Sequence, residues 1–223
     1  MGYLSFNLQI TGKTILVIGG GAVAERKVIN ILAAGAELTI ISPTVTYELQ
    51  RLRDEGKIHH LSRKYQPGDL GAAFMVIAAT NNHEANRAVA AEASSLGILA
   101  EITDNPAAGN VTSPAVIRQG DLSIAISTNN RSPALAAAIK KELTPLFGPE
   151  YAKSVQLLGI IREKLLTEGA GSTYNTQVLR DLAEKLPAFF ASSAVGEIDK
   201  LLQKHLGAAY TLAALESIPR ENP

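Results

Sequence analysis

The 223-residue sequence predicts an α/β protein: a doubly wound parallel sheet, then a small strand-plus-helix segment, then a helical C-terminal domain. Three observations predict it. Thr14, Ile15, Leu16, Val17 and Ile18 form a β-branched apolar run entering Gly19-Gly20-Gly21, after which Ala24, Val28, Ile31 and Leu32 recur at helical spacing. Apolar strand-like runs then alternate with helix-period segments as far as Ile102, the grammar of a parallel α/β sheet. Beyond Pro149 no strand pattern remains.

Element by element, Gly35 closes the first helix, and Glu37–Ile41 is a second apolar run ending at Ser42-Pro43, completing a right-handed βαβ unit. A helix near residues 46–55, a strand near 58–62 and a buried strand over 74–79 follow. A helix then carries Ala85, Val89, Ala93 and Leu96 on one face, and a strand runs over 98–102. Residues 105–110 read as a loop, and 122–127 as one more strand. Ser132-Pro133 is an N-cap followed by proline at the first helical position, opening a helix with Leu135, Ile139, Leu143 and Leu146 on one stripe. Leu157, Leu158, Ile161 and Leu165 fit one later helix, and Ile198, Leu201, Leu202 and His205 another. Gly169 to Gly171 and Pro187 punctuate them. The expected domains are 1–110, 111–148 and 149–223.

Composition narrows the function classes. Hydrophobic residues make up 46% and charged ones 19%, which argues against disorder. With 21 Lys and Arg against 21 Asp and Glu there is no net charge to attract nucleic acid, so no nucleic-acid partner is expected. Zero Cys excludes disulfides, thiolate nucleophiles and thiolate metal sites. No leader pattern and no membrane-length apolar run is seen, and the expected location is the cytoplasm.

Gly19, Gly21 and Ala24 match G-x-G-x-x-G/A, the Rossmann fingerprint. The first glycine permits a tight turn, the second lets backbone approach a pyrophosphate, and the small third residue lets helix pack on strand. The alternative is a glycine turn that binds nothing. The acidic residue expected about 20 positions on, for the ribose of NAD, is absent, because the second strand ends Ser42-Pro43-Thr44. The hydroxyls of Ser42 and Thr44 remain as ribose partners, and the fingerprint alone does not choose NAD over NADP.

Arg26 and Lys27 lie in the first turns of the first helix, where the macrodipole disfavours cations; they are solvated charges or they face an anion. Thr80 and Asn81 follow the 74–79 strand at the carboxyl edge, where open α/β sheets bind ligands. Asn81 with Glu84 also resembles a capping box. Asp104, just past the 98–102 strand on the same edge, is placed either to take a proton near a nicotinamide or to cap a turn. His59, His60, His83 and His205 show no metal-ligand spacing, and no metal site is expected. His205 reads as a core or interface histidine.

Several segments together resemble one family. They are Val17 to Lys27, Ala78-Ala79-Thr80-Asn81-Asn82, Ile102-Thr103-Asp104, and Asp121 to Ala136 with its Ser127-Thr128-Asn129-Asn130-Arg131-Ser132-Pro133 core. They resemble the precorrin-2 dehydrogenase/sirohydrochlorin ferrochelatase family of sirohaem synthesis, over residues 1 to about 147. The resemblance implies that NAD takes a hydride from precorrin-2 to give sirohydrochlorin, and some members also insert ferrous iron as a substrate. It implies cofactor contacts at Ala22, Val23, Pro43 and Thr44 and a key aspartate at Asp104. A homodimer is expected from the 111–148 segment, whose apolar strand and long helix stripe one small domain would leave uncovered, and the family also forms dimers. The resemblance also implies methylation by a separate chain. Asn129-Asn130 stands where the family commonly has a glycine pair.

Precorrin-2 carries several carboxylates, so donors are needed; Asn110, Ser113, Thr128, Asn129, Arg131 and Ser132 at a helix N-terminus are the candidates. Two other readings stay open: an NAD(P)-dependent reductase of a small carbonyl compound, and a non-enzymatic NAD-sensing domain. Short-chain reductases need Tyr with Lys four residues on, and none of the six Tyr residues has it.

Overall fold

The computed structural model describes residues 2–71, 73–167 and 172–217. Gly169 to Gly171, expected as a helix break, lie outside the described residues. The chain forms two compact units, Met1–Ser113 and Pro114–Pro223.

In the first unit, β1 (Thr14–Ile18), β2 (Glu37–Ile41), β3 (His59–Leu61), β4 (Met75–Ala78) and β5 (Leu99–Ile102) form one parallel sheet in the order β3-β2-β1-β4-β5. The helices between them are α1 (Ala22–Leu32), α2 (Tyr47–Asp54) and α3 (His83–Leu96). The period-2 geometry of the strands sorts the core in two. Ile15, Val17, Leu38, Ile40 and Ile77 pack with Ala24 and Val28 of α1 and Leu49 and Leu52 of α2. Leu16, Ile18, Ile41, Val76 and Ala78 pack with Val89, Ala90 and Ala93 of α3. Each fully buried Ile or Val contributes about 1.5–3 kcal/mol of transfer free energy, which explains why both faces of β1 are apolar.

The register aligns the carboxyl ends of the strands. Ile18 pairs with both Ile41 and Ala78, and Ala78 pairs with Ile102. The next residue of each strand still donates to a neighbour: Gly19 N to Ile41 O (3.0 Å), Ala79 N to Ile18 O (2.8 Å), Thr103 N to Ala78 O (3.0 Å). Four loops therefore leave the sheet at one level. The order also reverses between β1 and β4, the crevice where such sheets bind ligands.

Two details differ from expectation. Leu96 is exposed, because α3 ends there in a left-handed cap at Gly97, and the buried face is Asn86, Val89, Ala90 and Ala93. The cap of α3 is Asn82, one residue later than expected: its Oδ1 accepts from Glu84 N and Ala85 N, so Glu84 is at the second helical position and no capping box forms with Asn81.

The second unit opens with an antiparallel hairpin of β6 (Ala115–Gln119) and β7 (Leu122–Ile126), then α4 (Pro133–Leu143). Strand β6 was not expected. Its sequence, Ala115-Val116-Ile117-Arg118-Gln119, lacks alternation, and only Ile117 is buried. Ser132 caps α4 as expected, its Oγ accepting from Leu135 N (3.2 Å). The stripe of α4 is left largely uncovered: Leu135 is 52% exposed, Leu146 beyond the helix is 60% exposed, and Ala136 is the buried residue of the helix.

The remaining helices are α5 (Pro149–Thr167), α6 (Ser172–Ala191), α7 (Val195–Leu206) and α8 (Leu212–Glu216). They share one core of Leu157, Ile161, Leu182, Leu186, Ile198 and Leu202 with their neighbours. Pro187 lies inside α6 rather than between helices. An interior proline costs about 3 kcal/mol, and the full burial of Leu182 and Leu186 beside it holds the helix across that position. His205 is mostly buried on α7, its Nε2 4.0 Å from Asp181 Oδ2. Among the described residues no helix is long and apolar enough to cross a membrane.

Candidate functional site

The glycine turn after β1 shows why each glycine stands where it does. At Gly19 (φ +123°) an added Cβ would lie 2.3 Å from Ala79 O, and at Gly20 it would lie 2.2 Å from Thr44 O. These two glycines let the ends of β4 and β2 close on the turn. Gly20 was missed from sequence, since it occupies a variable position of the fingerprint. At Gly21 a Cβ would meet nothing within 4 Å, and the backbone is ordinary extended chain (φ −84°, ψ −175°). Gly21 is the N-cap of α1 and supplies no side-chain cap, so the first-turn amides, Ala22 and Val23 among them, carry no capping side chain. Tight approach plus an uncapped helix start is what a pyrophosphate requires, and the turn fits a dinucleotide.

At the end of β2, Pro43 and Thr44 are exposed, while Ser42 is buried. The Ser42 hydroxyl donates to Thr44 O (2.7 Å), and Ser42 O lies 2.8 Å from His60 Nε2. Ser42 thus shapes the turn, and its proton is already engaged there. Lys27 likewise has an internal partner: its Nζ lies 2.6 Å from Glu101 Oε1 on β5, which compensates the cation near the start of α1.

Thr80 and Asn81 form the turn between β4 and α3. Thr80 Oγ1 donates to Asn86 Oδ1 (2.9 Å), and Asn86 Nδ2 donates back to Thr80 O (3.0 Å). Asn86 is buried, and sequence reading missed it. Its signal was a polar side chain in phase with the apolar positions 89, 90 and 93.

Asp104 stands past β5 in a cleft of about 300 Å³ lined also by His83, Asn86, Arg87, Ile102, Asn105 and Ala108. Its side chain is 21% exposed and meets His83 Nδ1 through Oδ2. Burial pushes its carboxyl up, but hydrogen bonds from His83 and Asn86 outweigh it and hold the group below the usual carboxylate range. His83 was passed over in the sequence because its partner lies 21 residues away. The adjacency of β4 and β5 brings the two together.

Asn110 and Ser113 are engaged within the first unit. Asn110 Oδ1 accepts from Ala100 N (2.7 Å) and its Nδ2 donates to Ile98 O (3.2 Å), so the amide covers the free edge of β5. Ser113 gives its N–H and its hydroxyl to the two oxygens of Glu101. In the second unit, Thr128 to Ser132 make a compact turn. Arg131 N donates to Thr128 O (2.9 Å) and Ser132 N to Thr128 Oγ1 (3.1 Å). Asn129 and Asn130 have φ of 51° and 60°. Asparagine tolerates this left-handed region, so the pair keeps a backbone that glycines would adopt. Among the described residues no cluster of three His, Asp or Glu is placed to hold a metal.

The sheet and its glycine turn define the first unit as a dinucleotide-binding domain of Rossmann type. Residues 6–115 match the family model described as putative NAD(P)-binding, and residues 119–144 match that of the sirohaem biosynthesis protein central domain. Siroheme synthase 1 of Aeromonas salmonicida is 33% identical over 165 residues, 74% of this chain and 35% of its own. The siroheme synthase of Chromobacterium violaceum is 36% identical over 153 residues, 69% of this chain and 33% of its own. The chain is similar to the sirohaem synthases over 69–74% of its own length, and spans about a third of the length of these curated relatives. Among solved structures, SirC, a precorrin-2 dehydrogenase, matches with a TM-score of 0.74 and 25% identity, over 91% of this chain and 98% of that one.

Proposed function

We propose that this chain oxidises precorrin-2 to sirohydrochlorin with NAD as acceptor, a step of sirohaem synthesis. The observation that carries the reading is the placement of Asp104, in its cleft, on the same carboxyl edge as the Gly19 to Val23 turn. The likeness to SirC over nearly the whole of that chain supports the substrate.

Bound at the glycine turn, NAD supplies a two-electron acceptor. The chain's own residues do the rest. Ala22 and Val23 amides would hold the pyrophosphate, Pro43 and Thr44 would serve the ribose, and Thr80 and Asn81 would add polar contacts to the dinucleotide. The carboxylate of Asp104 provides for the proton that must leave as the macrocycle is oxidised. Thr128, Asn129, Arg131 and the start of α4 at Ser132 offer donors to substrate carboxylates. With no carboxylate after β2, NAD is preferred over NADP only modestly.

The reading includes a homodimer, for which the exposed Leu135 and Leu146 are the motive. Location in the cytoplasm completes it. The test is direct: purified protein with precorrin-2 and NAD, following NADH, with a second arm of sirohydrochlorin and ferrous iron, since a carboxylate also suits removal of pyrrole N–H protons. Sedimentation checks the dimer. NAD bound without any NADH formed from precorrin-2 would overturn the dehydrogenase in favour of a sensor.

A further inference from the structure

Asp104 does not face its cleft alone. His83, the first residue of α3, turns Nδ1 onto Asp104 Oδ2 while its side chain stays 75% exposed. The buried Asn86 lines the same cleft, helps hold the carboxyl below its usual range, and is itself fastened to Thr80. An ionised carboxylate accepts only, so the hydrogen between the two groups belongs to His83 Nδ1. In the neutral ring the lone pair then sits on Nε2, on the nitrogen that Asp104 does not touch.

We propose that His83 Nε2 is the proton acceptor of the dehydrogenation, with Asp104 as the residue that orients the imidazole and stabilises its protonated form. This deepens the dehydrogenase reading and rests on it. Two hydrogens leave the macrocycle. One departs with its bonding pair and reduces NAD to NADH. The other departs as a proton to Nε2, and its bonding pair becomes the new double bond of the oxidised ring. A carboxylate held below its usual range is a weak acceptor but a good partner for an imidazolium, the division of labour seen wherever an aspartate orients a catalytic histidine. The other charged group lining the cleft is Arg87, one helical turn on from His83.

The first test needs neither substrate nor cofactor. Nitrogen-15 spectra of the imidazoles, with His83 assigned by its loss in His83→Gln, should show the Nδ1–H tautomer in the wild type. Asp104→Ala should return it to the Nε2–H form that histidine prefers in water. The second test is kinetic. His83→Gln and Asp104→Ala should each lower kcat by about 10²–10⁴-fold with NAD affinity kept. The double variant should fall no further than the worse single one, since the two act as a unit. An Nε2–H tautomer in the wild type, or a His83→Gln enzyme within about tenfold of wild type while Asp104→Ala loses the full factor, overturns the acceptor and returns the role to Asp104. A wild type that binds NAD but leaves precorrin-2 unchanged instead refutes the dehydrogenase reading, and the acceptor with it.

Discussion

Gly21→Asp should separate cofactor binding from folding, and in opposite directions. The position has an extended backbone that any residue adopts, and a Cβ there meets nothing within 4 Å. It is also the uncapped N-cap of α1, a place where aspartate is among the preferred residues and where its charge complements the macrodipole. The unliganded variant should therefore melt at the wild-type temperature or slightly above, a gain of about a few tenths of a kcal/mol. Binding is another matter. A carboxylate about 4 Å from a phosphate charge costs about 4 kcal/mol at an effective dielectric near 20, which is about three powers of ten in Kd. Wild-type protein at about 100 Kd of NAD gains about 2.7 kcal/mol, worth about 5–10 °C in Tm for a chain of this size. The variant should gain nothing at the same concentration. Thermal melts with and without NAD, backed by a fluorescence titration, read both effects. Binding within about tenfold of wild type would refute the assignment of the α1 N-terminus to the pyrophosphate. An unliganded loss of more than about 2 kcal/mol would refute the open space at Gly21.

Lys27→Met should destabilise the first unit by about 2–4 kcal/mol, because Glu101 then stays buried with only Ser113 to satisfy it; urea unfolding reads this, and Lys27→Met with Glu101→Leu should recover much of the loss. Acid should loosen residues 62–71 ahead of the sheet. The Arg63 guanidinium holds the Asp69 carboxyl below its usual range against a smaller cost of burial, and although burial pushes Glu92 up, bonds from Tyr65, Gly68 N and Leu70 N bring it below. Both groups are more acidic folded than unfolded, so their stabilisation is complete above about pH 4–5, near the unfolded values. It disappears as pH falls through the folded values. Hydrogen exchange of residues 66–70 across that range should show the loss, and Asp69→Asn should flatten it.

Much of this protein was legible along the chain. The five parallel strands, the glycine turn, the Ser132-Pro133 helix start and the helical C-terminal part all follow from local rules: period, glycine and proline chemistry, and capping. Such rules act over a few residues, so one sequence carries them. The carboxyl edge could also be read, because a strand's last residue is visible in its apolar run, and Asp104 and Thr80 follow directly after one.

What only the tertiary structure decided depends on which strands are neighbours and where helix phase meets the sheet. The pairing of β4 with β5 makes a unit of His83 and Asp104, and it hands Glu101 to Lys27 from the opposite end of the domain. Asn86 drew no notice in the sequence, and the phase of α3 buries it. Ser42, Asn110 and Ser113 looked like free donors until the folded chain claimed them, the first two through backbone groups and Ser113 through the Glu101 carboxylate, since a buried polar group left without a partner is costly. Pro187 reads as a helix break by its own chemistry, yet the packing of Leu182 and Leu186 outweighs it. Local chemistry named the elements and the edge; long-range packing decided which polar side chains remain available to a ligand there.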